Sequence, residues 1–485
     1  TSASNSLWAV NAQANTIYNR LQTANASESA KNTAMGECLA WKAMAYFYLV
    51  RIWGDVPIVH NNSSEIAAGD YNNKYKVKAA DVYEYIVMTL EKAIDLLPNT
   101  NTAGRIDKWG AKGLLAKVYL AKSGINCNGN GQRDENDLAK AAELAKDVID
   151  NSGKKLMEKY EDIFKGENNN CDESLIGWRW TADQLNYTCG NCLTSELAPA
   201  GFCEYQSWGD WTAPSVDLEE AFGVTPLQNP SSRPATDERR KATMMMAGDT
   251  YSQWWQDKGG FDYLRFLHDK KYAPGSNDGL QSGTGANIAK HLYGNDADHV
   301  KTFGRSAGKQ SSDLSTHVLR LADVYLIYAE AKIGNAGSTS DASAIDAYYQ
   351  VWHRARPTLF DKPSSITLDD VLKERRLELA LEGDYWFDLV RMSYYNVEKA
   401  MNIIKNQKRN AYNGLADLYK AYYNKGNGNG PWDVDESKMF YDTSTPKPNV
   451  TTSIFQLPFP QGDVVYNPHL MEEAQHVDVR EAFSY

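Results

Sequence analysis

The chain has 485 residues, of which 42% are hydrophobic and 23% charged. That is enough for one large or two to three ordinary domains with a folded, soluble composition. Its net charge of −11, from 62 acidic and 51 basic side chains, argues against nucleic acid as a partner. The 13 Trp and 29 Tyr exceed what a core of this size needs and point to a surface that binds by stacking.

In chain order, residues 12–21 and 27–52 read as helices. The second carries the longest apolar run, 39–52, which is too short to span a bilayer and contains Lys42. It is therefore expected to be buried on all sides. The chain opens on polar Thr1-Ser-Ala-Ser-Asn5 without a signal peptide, which leaves its compartment open. A Gly54-Asp-Val-Pro57 break follows. Helices are predicted next over 80–97, closed by Pro98, then over 108–122 and, Ala-rich, over 135–151. Paired helices with small residues at their crossings predict tetratricopeptide-like hairpins, without a strict repeat of about 34 residues.

Between 165 and 315 Gly, Asn, Asp, Ser, Pro and aromatic residues dominate, and helical periodicity becomes patchy. Ser174-Leu-Ile-Gly-Trp-Arg-Trp180 is the best candidate strand. A segment this long cannot be a structureless loop in a compact domain, so it must fold on its helical neighbours. Helices return over 317–333, 341–356, 368–392 and 396–423, followed by a loop-like tail from 426. The expected fold is mainly α: helical hairpins with a large loop-rich, partly β insertion carrying the ligand site. One unit is expected, made of helical 1–164, ligand-binding 165–315, helical 316–425 and the tail 426–485.

The cysteines are Cys38, Cys127, Cys171, Cys189, Cys192 and Cys203. Cys189-Gly-Asn-Cys192 lacks a second such pair or a nearby His, so a loop disulfide of open pairing is expected rather than zinc. Asn126, Asn128, Asn130, Asp134 and Asp137 repeat the oxygen spacing of a calcium loop, with Gly131 at its sixth position. Asn at the first position and Asp at the last weaken that reading against an ordinary helix–helix turn. No cofactor is required, with calcium the one candidate. His291 and His299, with Asp296 and Asp298, match no common zinc spacing. Glu374, Glu378 and Glu382 step along one helix face beside Arg375, Arg376 and Arg391. Glycosidase carboxylates face each other across a bond, so structural ion pairs are expected here and no enzyme activity.

Three ordered motifs together resemble the SusD/RagB family. They are Gly36-Glu-Cys-Leu-Ala-Trp-Lys-Ala-Met-Ala-Tyr-Phe-Tyr-Leu-Val-Arg-Ile-Trp-Gly-Asp-Val-Pro57, Arg320-Leu-Ala-Asp-Val-Tyr-Leu-Ile-Tyr-Ala-Glu-Ala331 and the segment from Glu374 to Arg391. Trp109-Gly-Ala-Lys-Gly-Leu-Leu-Ala-Lys-Val-Tyr-Leu120, the Pro458-Phe-Pro460 stretch and Asn467-Pro468 add support. The resemblance implies a cell-surface nutrient-binding lipoprotein of a Gram-negative, Bacteroidetes-type outer membrane. Its helical half would pack on a SusC-like TonB-dependent barrel, and its loop-rich half would bind an oligosaccharide and deliver it. Members start with a lipidated Cys and a longer leader, which this sequence lacks. Many also carry a basic residue where this chain has Asp384-Tyr385, so a local re-pairing of charges is expected.

A sugar's apolar face stacks on Trp or Tyr while amides and carboxylates bond its hydroxyls. Tyr205, Trp208, Asp210 and Trp211 supply such groups within seven residues and are the first candidate site. Trp254 and Trp255 are the second, and Tyr187 joins them. Trp178 and Trp180 are expected in the core, and Tyr71, Asn73 and Tyr75 in a solvated loop. A peptide is the alternative cargo, held through backbone hydrogen bonds. A helical glycan-degrading enzyme is a further alternative.

Overall fold

The fold comes from a computed structural model that describes every residue except 1, 71, 128, 183–189, 204–206, 208, 210–211, 278 and 426–431. Helices open the chain: α1 (Ser2–Gln22), α2 (Glu28–Trp53), short α3 (Asn62–Ala67), α4 (Ala79–Leu96), α5 (Lys108–Lys122) and α6 (Glu135–Asn151). Polar caps set their starts. Ser27 accepts from the Ala30 N–H before α2, Asp107 from Gly110 before α5, and Asp134 from Asp137 before α6. Successive helices pack as neighbours, α1 on α2, α2 on α4, α4 on α5 and α5 on α6. Helix α2 is apolar nearly all round, and its Leu39, Ala40, Tyr46, Phe47 and Val50 are buried within one continuous core.

The central segment begins with strand β1 (Ser174–Trp178) and helices α7 (Leu193–Leu197), α8 (Val216–Ala221) and α9 (Arg239–Thr243). Strands β2 (Met244–Met246), β3 (Thr250–Tyr251) and β4 (Phe261–Asp262) follow. Helix α10 (Tyr263–His268), strand β5 (Ala286–Ile288) and helix α11 (Asp296–Phe303) complete the segment. Strand β6 (Thr316–Arg320) leads back into helix α12 (Leu321–Ile333), which packs on α6 and so resumes the helical array. Then come β7 (Ser338–Thr339), α13 (Ala342–Ala355), β8 (Ile366–Thr367) and α14 (Leu368–Glu378). After them run α15 (Asp384–Tyr395), α16 (Val397–Asn406), α17 (Leu415–Asn424), α18 (Gln461–Tyr466) and α19 (Val479–Ala482). The described sheets are antiparallel pairs, β1–β6, β2–β5, β3–β4 and β7–β8. The central segment has its own aromatic core, built around Phe202, Trp254, Trp255, Phe261 and Phe266 and closed by α17. Among the described residues no helix is long and apolar enough to cross a membrane.

Three expected helices end differently. Residues 317–320 belong to β6, because β1 offers a partner and Thr316, His317, Leu319 and Arg320 pair with it. The charged stretch 368–392 is two helices, broken where Leu381 (φ 64°) and Gly383 (φ 90°) turn left-handed. The predicted helix over 396–423 is two helices separated by residues 407–414; Gly414 (φ 78°), where a Cβ would lie 2.6 Å from the Lys438 carbonyl oxygen, precedes the second.

The break after α14 swings Glu382 into a buried ionic network joining the central segment to the helices. Arg320 contacts Glu173 (2.6 Å), Glu378 (2.9 Å) and Glu382 (2.8 Å). Arg239 reaches Glu374 (2.7 Å) and Glu378 (3.1 Å), and Lys290 reaches Glu382 (2.9 Å). Burial alone would raise the Glu378 carboxyl, but Arg354, Arg320 and Arg239 overcome it and hold it at about 2. Burial likewise works against Glu330, yet Arg391 and Arg133 keep it at about 2. For Lys290 burial wins over Glu382, and its pKa falls to about 8. These carboxylates are therefore occupied by ion pairs, as their spacing beside arginines implied. Asp384 pairs with Lys117 at 2.6 Å, which is the local re-pairing expected at that position.

Candidate functional site

Strand β1 leaves Trp178 on the surface, and Trp180 follows two residues later. The register of β1 against β6 shifts between Ser174 and Ile176 and again between Ile176 and Gly177. Each shift breaks the period-two alternation, so Leu175 and Ile176 are both buried. Trp178, opposite Thr316, is left 39% exposed. Trp180 is half-buried, its indole N–H donating to Thr316 Oγ1 at 3.0 Å. The two rings stand 6.2 Å apart at 85°. Their expected place was the core, and the irregular two-stranded ladder is why they leave it.

Trp180 forms one wall of an open cleft of about 900 Å³. The start of α2 (Ser27, Ser29, Thr33), the 101–105 loop, Asn169, Arg179 and the segment carrying Phe303, Arg305 and Asp313 complete it. An adjoining pocket of about 270 Å³ shares the 101–105 loop, Asn169 and Arg179. Both volumes are near the usual range for small-molecule sites. The polar groups are held from behind. Asn101 Nδ2 and Arg105 Nε each donate to Glu37 Oε1 at 2.8 Å. Arg305 Nε donates to Asp313 Oδ2 at 3.0 Å, and the Ala182 N–H to the same oxygen at 3.2 Å. Hydrogen bonding to Glu37 and to Asp313 raises the pKa of Arg105 and Arg305 respectively. The cleft thus offers two aromatic rings, Trp180 and Phe303, two amide side chains, hydroxyls and guanidinium groups. This is equipment for binding a polyhydroxylated ligand.

Of the expected site residues, Tyr187, Tyr205, Trp208, Asp210 and Trp211 lie outside the described residues. Gly209, between them, is buried, and its N–H donates to the Ala198 carbonyl at 2.8 Å. A Cβ there would sit 2.2 Å from the Leu197 oxygen, so only glycine allows this approach. Trp254 and Trp255 are corrected to core residues, 7% and 1% exposed. Trp254 stacks on Tyr251 (4.4 Å), and Trp255 donates its ring N–H to the Phe202 carbonyl at 3.1 Å. Phe202 and Phe261 crowd both rings, so neither is presented to a sugar. A strand pattern would have turned one of the pair outward, but Trp255 sits at φ 52° in a turn. Asp298 caps that turn, accepting from the Trp255 and Gln256 N–H groups at 2.6 and 3.1 Å.

Three of the five calcium-loop candidates are committed to other bonds. Asp137 holds Lys122 at 2.8 and 2.9 Å, Asp134 caps α6, and Asn130 Oδ1 accepts from Gln132 N–H. Asn126 stands at φ 67°, and Asn128 is outside the described residues. Among the described residues no cluster of three His, Cys, Asp or Glu side chains forms a metal site. An ordinary turn stabilised by a lysine accounts for this loop. Among the described residues Cys38, Cys127, Cys171 and Cys192 are free thiols, and Cys189 lies outside the described residues. His299 is structural, with Nδ1 on the Arg305 carbonyl at 2.8 Å and Nε2 accepting from the Asp313 N–H at 3.1 Å.

Comparison with known proteins agrees with this architecture. A family model described as SusD family matches residues 186–475, and one described as starch-binding associating with outer membrane matches residues 5–120. A SusD-like protein of Bacteroides ovatus is 35% identical over 474 residues, spanning 96% of this chain and 79% of that one. SusD-like protein P2 of Formosa agariphila is 24% identical over 404 residues, 80% of this chain and 71% of the relative. A crystal structure solved with xylogluco-oligosaccharide superposes with TM-score 0.77 at 32% identity, covering 98% of this chain and 88% of that one. A laminarin-binding SusD-like protein shares the fold at TM-score 0.58 and 24% identity, over 80% of this chain and 77% of its own. Matched over more than half its length by the family model and over nearly all of it by the Bacteroides ovatus relative, the chain belongs to the SusD family.

Proposed function

We propose that this protein binds an oligosaccharide at the outer-membrane surface and delivers it to a TonB-dependent barrel without altering it. The observation that carries the reading is the Trp178–Trp180 pair, Trp180 half-buried in the wall of the cleft and Trp178 exposed beside it, with the cleft's amides and guanidiniums fixed from behind. A ring already locked by Thr316 loses little freedom when a sugar stacks on it. The relative solved with xylogluco-oligosaccharide supports a glycan as cargo. Binding rather than hydrolysis is the reading because Glu374, Glu378 and Glu382 are neutralised inside the ionic network. Docking on a SusC-like partner and lipid anchoring at the outer membrane belong to the same proposal. Tyr187, Tyr205, Trp208, Asp210 and Trp211 are proposed to extend the surface.

Native affinity electrophoresis against a panel of polysaccharides tests the reading. Wild type should be retarded by at least one glycan, and Trp180→Ala should weaken that retardation. Retardation lost only in a Trp208→Ala, Trp211→Ala double variant would move the site to that loop. No retardation by any glycan, with binding to peptides instead, would overturn the proposal.

A further inference from the structure

The chain carries net charge −11, yet three guanidiniums and a single carboxylate line the cleft beside Trp180. Two of the three are already neutralised. Arg105 is held by buried Glu37 and Arg305 by buried Asp313, each through two N–H groups. Arg179 is different. It pairs with no carboxylate among the described residues, and it lines both the larger and the smaller pocket. It is also anchored: Nη1 donates to the Ala103 carbonyl at 2.8 Å, and its stem lies across Gly104. A Cβ on Gly104, which sits at φ 85°, would be 1.8 Å from Arg179 Cδ, so glycine alone permits this resting place. The anchor spends one N–H and leaves the rest of the fork free.

We propose that the cleft is selective for oligosaccharides bearing a carboxylate, that is a uronic acid residue, and that Arg179 receives it. The inference rests on the reading of the cleft as the glycan site and specifies its ligand class. A neutral pyranose needs amides and hydroxyls, which Asn101, Asn169 and Ser29 supply. Its hydroxyls can accept from the Arg179 guanidinium but leave the charge without a counter-charge. A carboxylate accepts two parallel N–H bonds from such a fork. With one charge uncompensated among the described residues, the cleft suits one acidic residue per bound segment rather than a polyanion.

The test is titration calorimetry with glucuronate-bearing xylan fragments, homogalacturonan fragments and alginate fragments. Each is paired with its own carboxyl-reduced derivative, in which CH₂OH replaces the acid. Wild type should bind at least one acidic member about tenfold more tightly than its reduced partner. That ratio should shrink as salt rises. Arg179→Gln should bring the ratio close to one, and Arg179→Lys should leave it intermediate, because lysine keeps the charge without the fork. The ratio is the readout, so a general change in affinity does not confuse it. Equal affinity for acidic and reduced members, or binding to neutral glycans alone, would overturn the acidic preference and leave the glycan site standing. An unchanged ratio in Arg179→Gln would overturn the assignment to Arg179. No binding to any glycan, acidic or neutral, would overturn the underlying reading instead.

Discussion

Glu378→Gln removes the charge at the centre of the buried network while keeping the side chain's size. Glu378 is fully buried and pairs with Arg320 at 2.9 Å, Arg239 at 3.1 Å and Arg354. With its pKa lowered from 4.5 to about 2 on folding, the carboxylate contributes about 3 kcal/mol at neutral pH. Leaving three arginines partly uncompensated fits the usual cost of about 3–5 kcal/mol for breaking a buried pair. Unfolding entropy for a chain of this size is about 1 kcal/mol/K, so the melting temperature should drop by about 3–5 °C. The sign of the pH dependence follows from the depressed pKa. The contribution is complete above the unfolded value of 4.5 and is lost as pH falls towards 2. The gap between wild type and variant should therefore be full at pH 7 and narrow below 4.5. Circular dichroism melts from pH 7 to pH 3 measure it. Glu143→Gln is the control, since Lys140–Glu143 is an exposed pair and should shift the melt by less than about 1 °C. A Glu378→Gln melt within about 1 °C of wild type at pH 7 would refute the reasoning, because the arginines would then be satisfied without that carboxylate.

Gly383→Ala should destabilise by about 1–2 kcal/mol, read as a shift in the urea midpoint. Its φ of 90° is unfavourable for alanine although nothing lies within 4 Å of the new Cβ. Thiol titration of denatured, unreduced protein should count at least four free thiols; a count of two or fewer would place one of Cys38, Cys127, Cys171 and Cys192 in a disulfide. Millimolar calcium should leave the melting temperature unchanged, because Lys122 already occupies Asp137; an upward shift would restore the loop as a cation site.

Most of the helices are legible in the sequence, because apolar periodicity and capping residues are local. Residues 108–122 and 135–151 were read to their observed ends, and Asp107 and Asp134 cap them as their chemistry requires. The pairing of glutamates with arginines was equally legible, since so many charges in an apolar stretch can be buried only together. Residue adjacency could not show which charges meet. Glu382 reaches Arg320 and Lys290 only because the chain breaks at Leu381 and Gly383.

The same limit governs the candidate site. Aromatic content announced stacking, but Trp254 and Trp178 look alike in sequence and separate only through long-range packing. Trp254 meets Phe202, fifty-two residues away along the chain, and becomes core. Trp178 is turned outward by two register shifts against a strand that begins at Thr316. The cleft exists because the start of α2, the 101–105 loop and the 303–313 segment converge beside Trp180. Burial and convergence are properties of the assembled chain, so tertiary structure alone decided which tryptophans a ligand can reach.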